Sequence, residues 1–343
     1  MSAFGARAEG PSLSVAPHTF ELTVKRGEVL QKEIKILNKS EMAIPVKAKI
    51  LDFTADDETG QMIFDESSQE VSIASRFWVK IENPDFILDP GETERVFLSI
   101  NIPETAEPGG HYATILFEPQ LPSYYFEEGK SRAIPSLGVL FLWSVEVEGV
   151  GHSPDPMMVA EFSIPEKFHL KRVENFLASV TGLFNEVKAE EKNSLNVVET
   201  SRLPFTLRIK NIDIYHIKPE GKLSIFKANG DLALETKISK TTILPGKIRK
   251  FPVELKPELP QRIKKYLPAS ASDFISKNIL WGKYKAVLSL SAENKKLEQS
   301  IEFWAFPWRF WLSTGLAIAV LTLFLVKWKN RIWLASKALL KRS

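Results

Sequence analysis

The sequence predicts an all-β protein: two tandem immunoglobulin-like β-sandwiches, the second with helical insertions, followed by one transmembrane α-helix. Three observations predict it. Turn signals recur about every ten residues, with short alternating apolar and polar stretches between them. A set of stretches in the first half returns in the same order in the second. Near the C-terminus, Phe310 to Val326 runs 17 residues without a charge.

Composition agrees with this and excludes several chemistries. Of 343 residues, 44% are hydrophobic and 25% charged, as in folded globular material, and the length suits about two domains. There is no cysteine, which removes disulfides, thiol catalysis, Cys-based zinc sites and iron–sulfur clusters. The histidines, at 18, 111, 152, 169 and 216, make no HxxxH or HExxH pattern. G-x-S-x-G, Walker A and G-x-G-x-x-G signatures are absent. A non-enzymatic protein with no cofactor, no metal and no small-molecule substrate is expected.

Residues 1–11 form an N-terminal segment. Ala6-Arg7-Ala8 has the A-x-A form of a signal-peptidase site, so a signal-peptide remnant is expected, with the apolar region upstream of the given start. The first sandwich is placed at 12–151. "FELTVKRGEVLQKEIKILNKS" is a strand, a turn at Arg26-Gly27 and a return strand; "AIPVKAKILDFTADD" alternates and turns back at Thr59-Gly60. "LDPGETERVFLSINIP" is a Pro-Gly turn and a strand, and "GGHYATILFEPQ" and "SLGVLFLWSVEVEG" complete the set.

The second sandwich is placed at 157–306. Its strands lie in "LPFTLRIKNIDIYHIKPEGKLSIF", "NGDLALETKI", "TILPGKIRKFPVELKP" and "GKYKAVLSLSAENKKLEQSIEFWAF". Insertions with helical character fall at about 166–195 and 257–280. In the first, Val173, Phe176, Leu177, Val180, Leu183, Phe184 and Val187 keep a helical period, which predicts an amphipathic helix from about Leu170 to Glu190.

The repeat pairs "IKILNKS" with "LRIKNID", "LDPGETERVFLSI" with "ILPGKIRKFPVEL", and "GGHYATIL" with "WGKYKAVL". Aligning Gly-x-Tyr with Gly-x-Tyr matches Tyr112 to Tyr284 and His111 to Lys283. Both tyrosines are therefore expected at structural corners, ring on the core and hydroxyl tied to backbone, with His111 a loop residue.

The transmembrane helix is placed at 308–328 and a basic cytoplasmic tail at 329–343. Trp304, Trp308 and Trp311 supply an aromatic interface on one side, and Lys327, Lys329 and Arg331 a basic one on the other. The positive-inside rule puts the tail in the cytoplasm and the sandwiches outside. Seven of the 45 Lys and Arg lie beyond residue 308 and none of the 42 Asp and Glu does, which leaves the outer part at −4. A nucleic-acid partner is excluded on that balance.

The remaining candidates have bland readings. Ser224 and Lys227 form a chance S-x-x-K inside a strand pattern. Asp52, Asp56, Asp57, Glu58, Asp65 and Glu66 do not have the EF-hand spacing for calcium and read as a solvated hairpin. Asn38-Lys39-Ser40 fits a glycosylation sequon, but Asn38 also marks a strand end in the repeat.

On "FELTVKRGEVLQKEIKILNKS", "LDPGETERVFLSINIP", "GGHYATILF", "ILPGKIRKFPVEL", "GKYKAVLSL" and the basic tail, the chain resembles the WxL-interacting protein family. The resemblance implies a bacterial surface protein with an N-terminal immunoglobulin-like domain associated with peptidoglycan binding and a second sandwich associated with partner binding. The expectation is a single-pass plasma-membrane protein whose outer domains bind cell-wall polymer or a surface protein, in adhesion or scaffolding. The alternative is a membrane-tethered, chaperone-like assembly factor for exported β-rich proteins, which would show an exposed apolar edge strand.

Overall fold

The computed structural model describes residues 12–65, 67–120, 136–164, 197–198, 203–255, 265–266, 268, 280–293, 295–305 and 314–327. The expected signal-peptide remnant, the helix at about 170–190, nearly all of 257–280 and the tail lie outside the described residues, as do Trp308, Trp311, Lys329 and Arg331.

The first sandwich consists of β1 (Leu13–Ala16), β2 (Thr19–Lys25), β3 (Val29–Asn38), β4 (Ile44–Ala55), β5 (Met62–Asp65), β6 (Val79–Ile81), β7 (Asp85–Leu88), β8 (Thr93–Asn101), β9 (Gly109–Pro119) and β10 (Leu137–Glu146). One sheet has the order β1-β3-β8-β6; the other has β2-β10-β9-β4-β5, with β7 also pairing β4. Alternation along the strands sends Ile34, Ile36, Leu98 and Ile100 of one sheet against Ile115, Phe117, Phe141 and Trp143 of the other.

The second sandwich consists of β11 (Met157–Ser163), β12 (Val197–Val198), β13 (Leu203–Asn211), β14 (Glu220–Lys227), β15 (Leu232–Ile238), β16 (Ile248–Leu255), β17 (Gly282–Ala292) and β18 (Lys295–Ala305). Its sheets have the orders β11-β13-β16 and β12-β18-β17-β14-β15. A separate core joins Leu207, Ile209, Leu223, Ile225, Leu288 and Phe303. Each strand of the second sandwich has a counterpart in the first, down to parallel pairing of β2 on β10 and of β12 on β18, while β6 and β7 have none among the described residues of the second.

Local chemistry explains why the same stretches recur. Asn38 and Asn211 end β3 and β13, and both are fully buried. Asn38 Nδ2 donates to the carbonyls of Met42 and Leu88, and its Oδ1 accepts the Ser40 amide. Asn211 Nδ2 donates to the carbonyls of Tyr215 and Ile243, and its Oδ1 accepts the Asp213 amide. Each asparagine also faces a Pro-Gly turn. Gly91 and Gly246 donate to the Asn38 and Asn211 carbonyls at φ of 76° and 73°, a conformation that favours glycine.

The third repeated stretch has a different register from the sequence alignment. Core-facing positions of β9 are His111, Ala113, Ile115 and Phe117, paired with Trp143, Phe141, Val139 and Leu137. Those of β17 are Tyr284, Ala286, Leu288 and Leu290, paired with Phe303, Ile301, Gln299 and Leu297. His111 therefore corresponds to Tyr284, and Gly109 (φ 123°) to Gly282 (φ 109°). Matching Tyr112 to Tyr284 is one residue out, which in a strand exchanges the two faces.

One helix, α1 (residues 314–327), follows β18 in the described part of the chain. It is apolar on every face, with Leu316, Ile318, Leu321, Leu323 and Val326 all more than half exposed. Its 14 residues extend about 21 Å at about 1.5 Å per residue. Among the described residues, no helix is long and apolar enough to cross a membrane, so the expected transmembrane helix at 308–328 is not supported; of that range, 314–327 is described, as helix.

Candidate functional site: the interdomain corner and the edge of β18

The two sandwiches meet at a corner built from four contacts and one flanking ion pair. The first is Tyr215, on the 212–219 loop between β13 and β14. It is buried, and its hydroxyl reaches the carbonyl oxygens of Val145 and Val150 at 3.3 and 3.5 Å. Burial raises the pKa of its phenol, with the charges of Glu146 and Asp213 adding to the shift.

The buried carboxylate of Asp213 forms the second contact. It accepts the amides of Ser153, Ile214 and Tyr215 and lies 3.0 Å from His152 Nδ1, which ties the interdomain linker to the second sandwich. Third, Gly110 donates its amide to the Ile214 carbonyl at 2.9 Å. The neighbouring Gly109 runs so close that a Cβ there would lie 2.9 Å from the same oxygen. An ion pair between Lys218 and Glu21 closes the far side.

The fourth contact is the acidic β4–β5 hairpin, and it corrects the expectation of a solvated loop. The Glu58 amide donates to Ile248 at 2.7 Å, and the Lys250 amide returns a bond to Glu58 at 2.9 Å, capping the edge of β16. Glu58 holds φ at 72°, uncommon for a residue with a side chain, and its carboxylate pairs with Arg208, which also pairs with Glu161. A hydrogen bond from Ser163 and the Arg208 charge hold the Glu161 carboxyl below its usual range. At the hairpin base, Asp52 accepts the Arg76 amide and the Ser75 hydroxyl and pairs with the Arg76 guanidinium. Among the described residues, no group of three or more His, Asp or Glu could hold a metal ion.

His111 is a strand residue, contrary to the expected loop position. It is buried, its ring lies 4.6 Å from Trp78, and its nitrogens sit 2.9 Å from the carbonyls of Ile73 and Glu107. That ties the imidazole to backbone upstream of β9, as the Tyr284 hydroxyl is tied to Trp281 at 3.4 Å upstream of β17. Tyr112 points away from the core into the corner. Its ring meets Phe53 and His216, each at 5.8 Å, and its hydroxyl rests against the His216 amide without a well-formed hydrogen bond. Burial raises the Tyr112 pKa and lowers that of His216, whose Nδ1 is buried with no hydrogen-bond partner.

Clefts flank the corner on two sides. One of about 570 Å³ is lined by Lys25, Arg26, Glu146, Glu148, His152 and Tyr215. Another of about 370 Å³ is lined by Asp52, Asp65, Arg76, His111, Tyr112 and Ile214. Of these, Arg26, His152, Tyr215, Asp52, Arg76 and His111 make bonds that hold the structure together. Ser224 is buried in β14, and its hydroxyl donates to Glu235 at 2.8 Å. Asn38 commits both ends of its amide to backbone and offers nothing to a glycan.

The edge of β18 is the other candidate. This strand has 11 residues and pairs β17 along its whole length. On its outer side, among the described residues, only β12 pairs with it, over Trp304 and Ala305. Among the described residues, 295–303 thus have no strand partner on this side. Leu297 and Ile301 are half-buried against the core, while Lys296, Glu298 and Glu302 point outward.

No family model matches this chain, and no curated protein does, so the WxL-interacting resemblance finds no support there. Solved structures similar to it include the class 5 fimbriae chaperone CfaA (11% identity, 86% of this chain and 100% of that one, TM-score 0.36). The E. coli chaperone DraB (13%, 85% and 98%, 0.33) and the Pseudomonas aeruginosa CupB2 chaperone (5%, 84% and 98%, 0.31) are others.

Proposed function

We propose that the protein is a membrane-anchored envelope protein that takes hold of an exported β-rich protein by strand addition, as a chaperone-like assembly factor. The edge of β18, which among the described residues is paired only by β12 at Trp304 and Ala305, carries this reading. A strand laid along residues 295–303 would pair the outward backbone groups and cover the exposed parts of Leu297 and Ile301. Charges at Lys296, Glu298 and Glu302 discourage the edges of two copies from pairing with each other. The corner contacts hold this edge at a set angle to the first sandwich. The apolar surface of α1 and the basic residues that follow it in the sequence support the membrane part of this reading, in which the sandwiches lie outside the plasma membrane and the tail in the cytoplasm.

A photo-crosslinking residue in place of Ser300, in the full chain in its native envelope, tests the reading. Cross-links to an exported β-rich protein are expected, reduced about tenfold by Leu297→Lys with Ile301→Lys. Retention of the full chain on purified cell wall, with no protein cross-link at residue 300, would instead favour wall-polymer binding, as the WxL-interacting resemblance implies.

A further inference from the structure

The two sandwiches are stacked in the same direction. The end of the first that carries Gly109 and Gly110 grips the second. The corresponding end of the second, which carries Gly282, points away from the corner, because the 212–219 loop and the β17–β18 turn lie at the opposite ends of their strands. This end exposes large apolar side chains among the described residues. Trp281 is 58% exposed, Trp304 45%, and Leu232, beside the β14–β15 turn at that end, 54%. β18 ends here at Ala305, and α1 begins nine residues later, a tether of at most about 30 Å.

We infer that the base of the second sandwich, with Trp281, Trp304 and Leu232, rests on the surface of the bilayer that holds α1. This rests on the reading of α1 as a membrane segment. Indole rings are suited to the headgroup region, where the ring is dehydrated and its N–H stays wet. Lys227 in the same turn and the Lys283–Glu302 pair beside Trp304 are polar enough to stay in that layer. A short tether keeps the base near the lipid, so docking adds little ordering cost. Docked this way, the β18 edge rises from the membrane and the first sandwich sits farthest out.

The chain has no cysteine, so single nitroxide labels can be placed without background. The full chain is reconstituted in vesicles of phosphatidylethanolamine and phosphatidylglycerol, with a label at Trp281→Cys, at Leu232→Cys, at Ala319→Cys in α1, or at Val29→Cys in the first sandwich. Expected is loss of collision with a water-soluble nickel chelate and gain with oxygen at 281 and 232, intermediate between 319 (deep) and 29 (aqueous). If 319 reports lipid while 281 and 232 match 29, the base does not dock and the inference is overturned, although the anchor stands. If 319 also reports water, anchor and docking fall together. Protection of 281 and 232 from both reagents would mark a protein partner at the base and would overturn the lipid assignment.

Discussion

Asn38 and Asn211 show how single side chains fix a loop and a turn at once. Each is fully buried and satisfies carbonyls on two separate segments while accepting an amide two residues on. Asn38→Ala or Asn211→Ala should cost about 1–3 kcal/mol for each polar group left unpaired, seen as a lower midpoint in denaturant at unchanged slope. His216 adds a dependence on pH. Burial lowers its pKa, opposed by Glu21 and Glu293 and reinforced by Lys218 and His152. Above the ordinary value of 6.5 the ring is neutral whether the corner is closed or open, and no stability is lost. As pH falls below 6.5, the open form takes a proton that the closed form refuses, so the closed form weakens until the depressed pKa is reached. Thermal midpoints from pH 7.5 to 5.5 should fall more in the native chain than in His216→Gln.

At the scale of elements, the β4–β5 hairpin is a latch between the sandwiches. Its tip places the Glu58 backbone against β16 and its carboxylate against Arg208. A positive φ at Glu58 is an unfavourable conformation for a side-chain-bearing residue, held in place by the docked contacts. Glu58→Lys should release the tip by setting like charges face to face. Hydrogen exchange at the Lys250 amide should then speed up while the Leu98 and Ile100 amides keep their protection. If exchange at 250 does not change, the hairpin is an ornament on β16 and not a latch.

At the scale of the whole molecule, the corner makes two sandwiches one body. Spin labels at Phe97→Cys and Leu232→Cys should give one narrow distance distribution, which broadens in Tyr215→Ala because the linker loses its buried anchor. Much of the fold was legible because its cues are local. A strand-ending asparagine, a Pro-Gly turn and an apolar alternation each impose their geometry on a few neighbouring residues. The corner was not legible, because Lys218 meets Glu21 across 197 positions and Tyr215 meets Val145 across 70. Nothing in "NIDIYHIKP" marks its aromatic residue as a fastener for another domain. His111 was misplaced because Gly109-Gly110 interrupts the alternation that would have shown it facing the core.

The register of β9 and β17 has a consequence for anyone recombining the two units. Both strands have 11 residues and open on a glycine with positive φ. A chimera that puts residues 282–292 in place of 109–119 keeps Ala286 where Ala113 was and should fold. The same segment in place of 110–120, the choice that the shared Gly-x-Tyr invites, would turn Tyr284 and Leu288 toward solvent and lysines toward the core. Circular dichroism and gel filtration of the two chimeras would separate them directly. A single-residue difference in splice point decides between a working module and an aggregate.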